Sequence, residues 1–210
     1  MSSVSSIMPY SPPINNLELI PFINADKFVC LLSKVNKSDE QIVKEYCFLC
    51  EQFHLNDFID RTMEKMSDSF NQGAFNRELD AFKIRLKEKT DEYFNKLADG
   101  KNQLIVISCK DDIIAGTFYE LENNGALLWI QAFSFDRDDK QENQLIYSVQ
   151  ILDYLSSLEN FPKLQVVVVM VRKTSSERNL LFSKDFKIDE AFHREGYDKN
   201  IYDCFVKTIQ

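Results

Sequence analysis

One stretch narrows the possible folds more than any other. Residues 164–171 read LQVVVVMV, a Val-rich run without alternation between apolar and polar positions. A strand with one wet face alternates, whereas a strand that is apolar throughout is covered on both faces. The run therefore predicts a sheet with helices on both sides and residues 164–171 in its interior. Before it, a helix is expected from about Glu142 to Leu158, with Leu145, Val149, Leu152 and Leu155 on one face and a stop at Phe161–Pro162. After it comes a short helix over 175–183. The alternating tail 201–209 pairs with a strand over 187–193.

Upstream, the pattern predicts three antiparallel strands, at 104–109, 113–121 and 126–135. Lys110–Asp111–Asp112 forms the first turn. Asn123–Asn124–Gly125 forms the second, because Asn and Gly tolerate the positive φ that tight hairpins need. Residues 17–22 are apolar enough for one more short strand. Residues 25–98 read as mainly helical, with Asp39 as an N-cap, a second helix over 57–70, a break at Asn71–Gln72–Gly73 and a third helix ending at Asp99–Gly100. The expected fold class is α/β: a central mixed sheet flanked by helices, with an enlarged N-terminal helical segment. Residues 14–210 are expected to form one domain, 25–98 its helical part and 100–209 its sheet core.

The chain has 210 residues, 17 of them Phe, which suffices for a sizeable core. A net charge of −8 repels phosphates and anionic lipid heads, so neither nucleic acid nor membrane is expected as a partner. The same charge disfavours a polyanionic cofactor unless a local positive site overrides it. No apolar run approaches the length of a membrane span. Residues 1–13, MSSVSSIMPYSPP, lack a basic stretch followed by an apolar core and read as a disordered leader rather than a secretory signal. Five cysteines in such a chain point to free thiols in a reducing, cytoplasmic compartment.

The order of elements resembles the GNAT superfamily of N-acetyltransferases. Two stretches carry the resemblance. Residues 106–121, VISCKDDIIAGTFYEL, are similar to that family's second and third strands, with Ile113–Ile114–Ala115–Gly116 at its apolar pair, small residue and glycine. Residues 176–188, SERNLLFSKDFKI, are similar to its segment after the fifth strand. The resemblance implies an acyl-CoA-dependent transfer of an acetyl group to an amine, from a small molecule or a protein. It places the oxyanion-polarising strand at Ala132, Phe133, Ser134 and Phe135. It places the pyrophosphate loop at Arg137, Lys140, Gln141, Glu142, Asn143 and Gln144. In the family that loop carries glycines, so that amides at a helix N-terminus can cradle the phosphates.

Two departures stand out. The loop RDDKQENQ retains no glycine and places Asp138, Asp139 and Glu142 where phosphates would sit. Side chains forced there into a left-handed conformation would each cost roughly 1–2 kcal/mol. Acetyl-CoA is therefore expected to bind weakly or not at all. The family's tyrosine acid is replaced by Phe182, leaving Tyr197 and Tyr202 as substitutes. Glu120 falls where some acyltransferases keep a water-linked base, although a solvated strand-end carboxylate is the plainer reading. The alternative function is a non-catalytic protein of this fold that binds a protein or small-molecule partner. Cys47, Cys50 and His54 share a helical face at metal-ligand spacing, with Cys30 as a conceivable fourth ligand. Their apolar setting favours a structural role and no metal. His193 reads as a surface histidine, and Lys83–Lys89 as the wet face of a helix.

Overall fold

The computed structural model describes residues 19–35, 39–65, 71–194 and 197–209. The leader 1–13 lies outside them. The strands are β1 (Leu19–Ile23), β2 (Val29–Val35), β3 (Asn102–Cys109), β4 (Asp112–Glu122), β5 (Leu127–Ile130), β6 (Ser134–Phe135), β7 (Val166–Arg172), β8 (Lys187–Ile188) and β9 (Tyr202–Thr208). The helices are α1 (Glu40–Lys65), α2 (Gln72–Ala98), α3 (Gln141–Leu155) and α4 (Glu177–Ser183). One mixed sheet runs β1-β2-β3-β4-β5-β7-β9-β8, with β6 beside β4. The β5–β7 pair is parallel and the other strand pairs are antiparallel.

The two faces of β3 show how the layers divide. Leu104 and Val106 pack under α1 and α2 with Val43, Tyr46, Cys50 and Leu97. Ile105 and Ile107 point the other way, to Tyr147, Ile151, Leu152 and Leu155 of α3. In β7, Val167, Val169 and Val171 join the α3 side, while Val168 and Met170 meet Trp129 and Cys204 on the other. Both faces of the Val-rich run are buried, as its lack of alternation requires, the second face packing against Phe192 and Tyr197 rather than against a helix. Gly116 on β4 lets α1 approach: a Cβ there would lie 2.6 Å from the Tyr46 ring and 2.7 Å from the Ile105 carbonyl oxygen.

Four expectations need correction. The segment 25–98 is not helical throughout, because β2 lies within it, paired between β1 and β3. Its run VCLLSKV is short and apolar, a pattern that periodicity alone does not assign. The first two expected helices are one, α1, which contains no Gly or Pro to break it. Asp57 does not start a helix; its carboxylate accepts from Arg61 one turn on. Residues 126–135 are not one strand but β5 and β6, separated at 131–133. The partner of the tail is only two residues long, followed by a 3-10 turn at Glu190–Phe192. Asn71 does mark a helix start: its side chain accepts from the Ala74 N–H as the α2 N-cap.

Candidate functional site

The break between β5 and β6 is a bulge. The last β4–β5 rung is Tyr119 with Ile130, and β4 meets β6 from Gly116 with Ser134. Between these rungs Thr117 and Phe118 face three residues, Gln131–Phe133, so one is extra. The Gln131 N–H donates to the Phe118 carbonyl at 3.0 Å. The Thr117 hydroxyl donates to the Gln131 carbonyl at 2.9 Å. The last parallel rung is Ile130 with Val169. Beyond it β7 continues beside β9, while the other chain bends away to follow β4. The sheet therefore opens between Ala132–Phe133 and Val171–Arg172.

Two cavities meet at this opening. One, of about 330 Å³, runs from Ala132, Phe133, Met170 and Val171 to Gln141 and Gln144 of α3 and to Ser175–Glu177. The other, of about 360 Å³, lies towards α2, with walls from Tyr46, Phe82, Leu86, Tyr93 and Phe118 and with Tyr197 and Tyr202 at one side. His54, Ala132 and Arg172 line both. The Arg172 guanidinium pairs with Asp57 and donates from Nε to the Tyr202 hydroxyl at 3.2 Å. Asp57 is held in turn by Arg61 at 3.0 Å. Burial first, then the charges of Arg172 and Arg61, push the His54 imidazole down to about 4, so it is neutral at pH 7. No described residue hydrogen-bonds to its ring. Tyr197, edge-on to Tyr202 at 5.1 Å, is pushed up to about 12, chiefly by burial.

No protein-family model matches the chain, and no curated protein matches it in sequence. Solved structures do match. The ribosomal L7/L12 alpha-N-protein acetyltransferase RimL is 12% identical, with 95% of this chain and 99% of that chain covered and a TM-score of 0.53. Mycobacterium smegmatis RimJ, in complex with CoA-disulfide, is 12% identical over 90% of this chain and 86% of that one, with a TM-score of 0.52. An aminoglycoside 6'-acetyltransferase type Ii is 13% identical over 85% and 97%, with a TM-score of 0.52. The chain has the GNAT fold. Identities this low establish architecture, and the chemistry has to be read from the residues.

Against the GNAT frame, the expected site residues divide. Ala132, Phe133, Gln141 and Gln144 line the first cavity. Tyr197 and Tyr202 line the second. The others lie elsewhere. Ser134 is fully buried and its hydroxyl reaches the Cys50 sulfur at 3.4 Å. Phe135 packs against Phe53 in the core. Arg137 turns to a separate groove beside Asp136 and Lys110. Asn143 is buried, donating to Asp26 at 2.8 Å and Asp139 at 3.0 Å and accepting from the Ala25 N–H at 3.0 Å. Lys140 pairs with Asp26, whose carboxyl is held below its usual range by hydrogen bonds from Lys140 and Asn143. Glu142 sits exposed in the first turn of α3. Glu120 pairs with Arg194 at 2.8 Å and lines neither cavity. Phe182 stacks edge-on against Phe205, likewise away from both.

The expected strain in the phosphate loop is absent. Among the described residues, side chains with positive φ occur at Lys27, Lys110, Asp111, Asn123, Asn124 and Asp185, and none occurs within 136–144. Lys140 is extended, with φ −64 and ψ 144, and leads into α3 without a side-chain cap. The first cavity combines apolar walls, the N-terminus of α3 without a side-chain cap, and Ser175 and Ser176. Glu177 beside them has its carboxyl pushed up from the ordinary range by burial.

The cavities are also lined by residues outside the expected acyl-transfer set: His54, Arg172, Gln131, Arg85 and Lys89. His54 does stand near Cys50, and burial holds the Cys47 thiol up at about 12 and the Cys50 thiol at about 11. Among the described residues, no three His, Cys, Asp or Glu side chains gather where a metal could sit. No described helix is long and apolar enough to cross a membrane.

Proposed function

We propose that this protein is an acyltransferase that moves an acetyl group from a CoA thioester to an amine. The observation that carries this is the meeting of two cavities at His54, Ala132 and Arg172, where a sheet bulge frees backbone groups. Acetyl-CoA would supply an activated carbonyl, with its arm along Ala132, Phe133 and Val171 and its phosphates towards Gln141 and Ser175. The amine enters from the α2 side. Its nitrogen forms the new C–N bond as the C–S bond breaks. Neutral His54 accepts a hydrogen bond from the amine, aims its lone pair and takes its proton as that nitrogen loses basicity. Burial first, then the charges of Arg172 and Arg61, keep His54 uncharged, and the same surroundings favour the uncharged amine. Amides of the bulge polarise the carbonyl oxygen. Tyr202 accepts from Arg172, which leaves its own proton free for the departing sulfur. One proton leaves the amine and one reaches the thiol.

The experiment is thiol release from acetyl-CoA in the presence of a panel of amines. An increase in free thiol that depends on both protein and amine supports the proposal. Its absence across the panel supports the second reading, a non-catalytic GNAT-fold binding protein. That reading is favoured by one observation: Asp26, from the β1–β2 turn, occupies Lys140 and Asn143 at the start of α3.

A further inference from the structure

We infer that the cavity between α1, α2 and the bulge binds a free aromatic amino acid of the size of tryptophan. Its role as acyl acceptor rests on the acyltransferase reading; its role as a binding site does not. The chain carries a net charge of −8, yet no Asp or Glu lines this cavity, while Arg85, Lys89 and Arg172 do. Two of these cations are already matched, Arg172 by Asp57 and Lys89 by Glu92 at 3.1 Å. Arg85 is exposed and pairs with no described residue. A free guanidinium at the rim of a cavity selects a carboxylate.

The walls choose the body of the ligand. Phe82, Tyr93 and Phe118 offer ring faces and edges, and Leu86 completes an apolar surface. At the floor, the Gln131 side-chain oxygen is buried with no hydrogen-bond partner among the described residues. A buried acceptor left unmatched is costly, and a ligand N–H would satisfy it. Gln131 adjoins Ala132 on the bulge, so an amine held there is at the junction of the two cavities. A volume of about 360 Å³ is at the low end of the roughly 300–1,000 Å³ typical of small-molecule sites. Acceptor at the floor, rings at the walls and cation at the rim together describe an α-amino acid with an aromatic side chain. A simple arylamine leaves Arg85 unused, and an aryl acid without nitrogen leaves Gln131 unmatched.

The test is calorimetric titration of L-tryptophan, tryptamine and indole-3-propionate into the full chain, with no CoA present. L-Tryptophan should bind one to one, and each analogue at least tenfold more weakly. Arg85→Ala should weaken L-tryptophan about tenfold and leave tryptamine unchanged, because one charge-assisted contact is worth about that factor. Its melting temperature should match the wild type, since Arg85 is exposed and pairs with no described residue. No binding of L-tryptophan, or equal binding of L-tryptophan and tryptamine, overturns the inference. A thiol-release assay with acetyl-CoA separates the two claims. Binding of L-tryptophan without thiol release keeps the site and removes its acceptor role. Thiol release with L-lysine or a peptide, but no L-tryptophan binding, keeps the transferase reading and overturns the amino-acid site.

Discussion

Replacing His54 by phenylalanine is expected to lower kcat/KM for acetyl transfer by about 100-fold, the lower end of what a positioned proton acceptor contributes. The same change should make the protein less sensitive to acid. His54 is depressed from its ordinary 6.5 to about 4 in the folded chain. Above pH 7 it is neutral folded or unfolded and contributes nothing. As pH falls from 6.5 towards 4, the unfolded chain takes up a proton that the folded one refuses, and stability is lost. Below pH 4 both states are charged and the loss stops. Between pH 7 and pH 5 this amounts to about 2 kcal/mol. Urea unfolding at both pH values should show the wild type losing about that much more than His54→Phe. Identical pH dependence would place His54 in water, where it could not serve as described.

The second large effect concerns the ion pair beneath the junction. The Arg172 side chain is 14% exposed and that of Asp57 30%. Asp57→Ala removes the counterion of a nearly buried guanidinium and also releases Arg61. Breaking a fully buried pair costs about 3–5 kcal/mol. Partial exposure of Asp57 brings the expected loss to about 2–3 kcal/mol, measured by chemical unfolding at pH 7. Arg172→Met should cost less, because Asp57 keeps Arg61. The double variant Asp57→Ala/Arg172→Met should recover part of the loss, since the nearly buried charge is then gone and only the more exposed Arg61 lacks its partner. If Asp57→Ala is no less stable than wild type, the pair does not organise the site.

The sequence carries the sheet interior plainly and the site poorly. The run 164–171 could pack only as a strand covered on both faces, and Asn123–Asn124–Gly125 could only turn; both positive-φ Asn residues are found there. Strand β2 was hidden because seven residues of mixed pattern fit helix and strand equally. The bulge at Gln131–Phe133 left no local mark: a single extra residue against β4 changes no periodicity. The aromatic cavity is assembled from α1, α2, β4, β7 and β9, so no sequence window contains it. Arg85 and Lys89 resemble ordinary solvated helix positions until Tyr93 and Phe118 are seen beneath them. The contact of Asp26 with Lys140 joins positions 114 residues apart. The loop 136–144 contains no glycine, yet its backbone avoids left-handed conformations altogether, a choice that composition does not disclose.

The most direct test of a CoA site at the splayed strands is acetyl-CoA titration by calorimetry into the wild type and into Ala132→Trp. An indole at position 132 would fill the point where both cavities meet without touching Asp26, Lys140 or Asn143. The predicted result is saturable one-to-one binding to the wild type and at least tenfold weaker binding to a variant that still melts cooperatively. Equal binding by both proteins, or none by the wild type at millimolar acetyl-CoA, would contradict it.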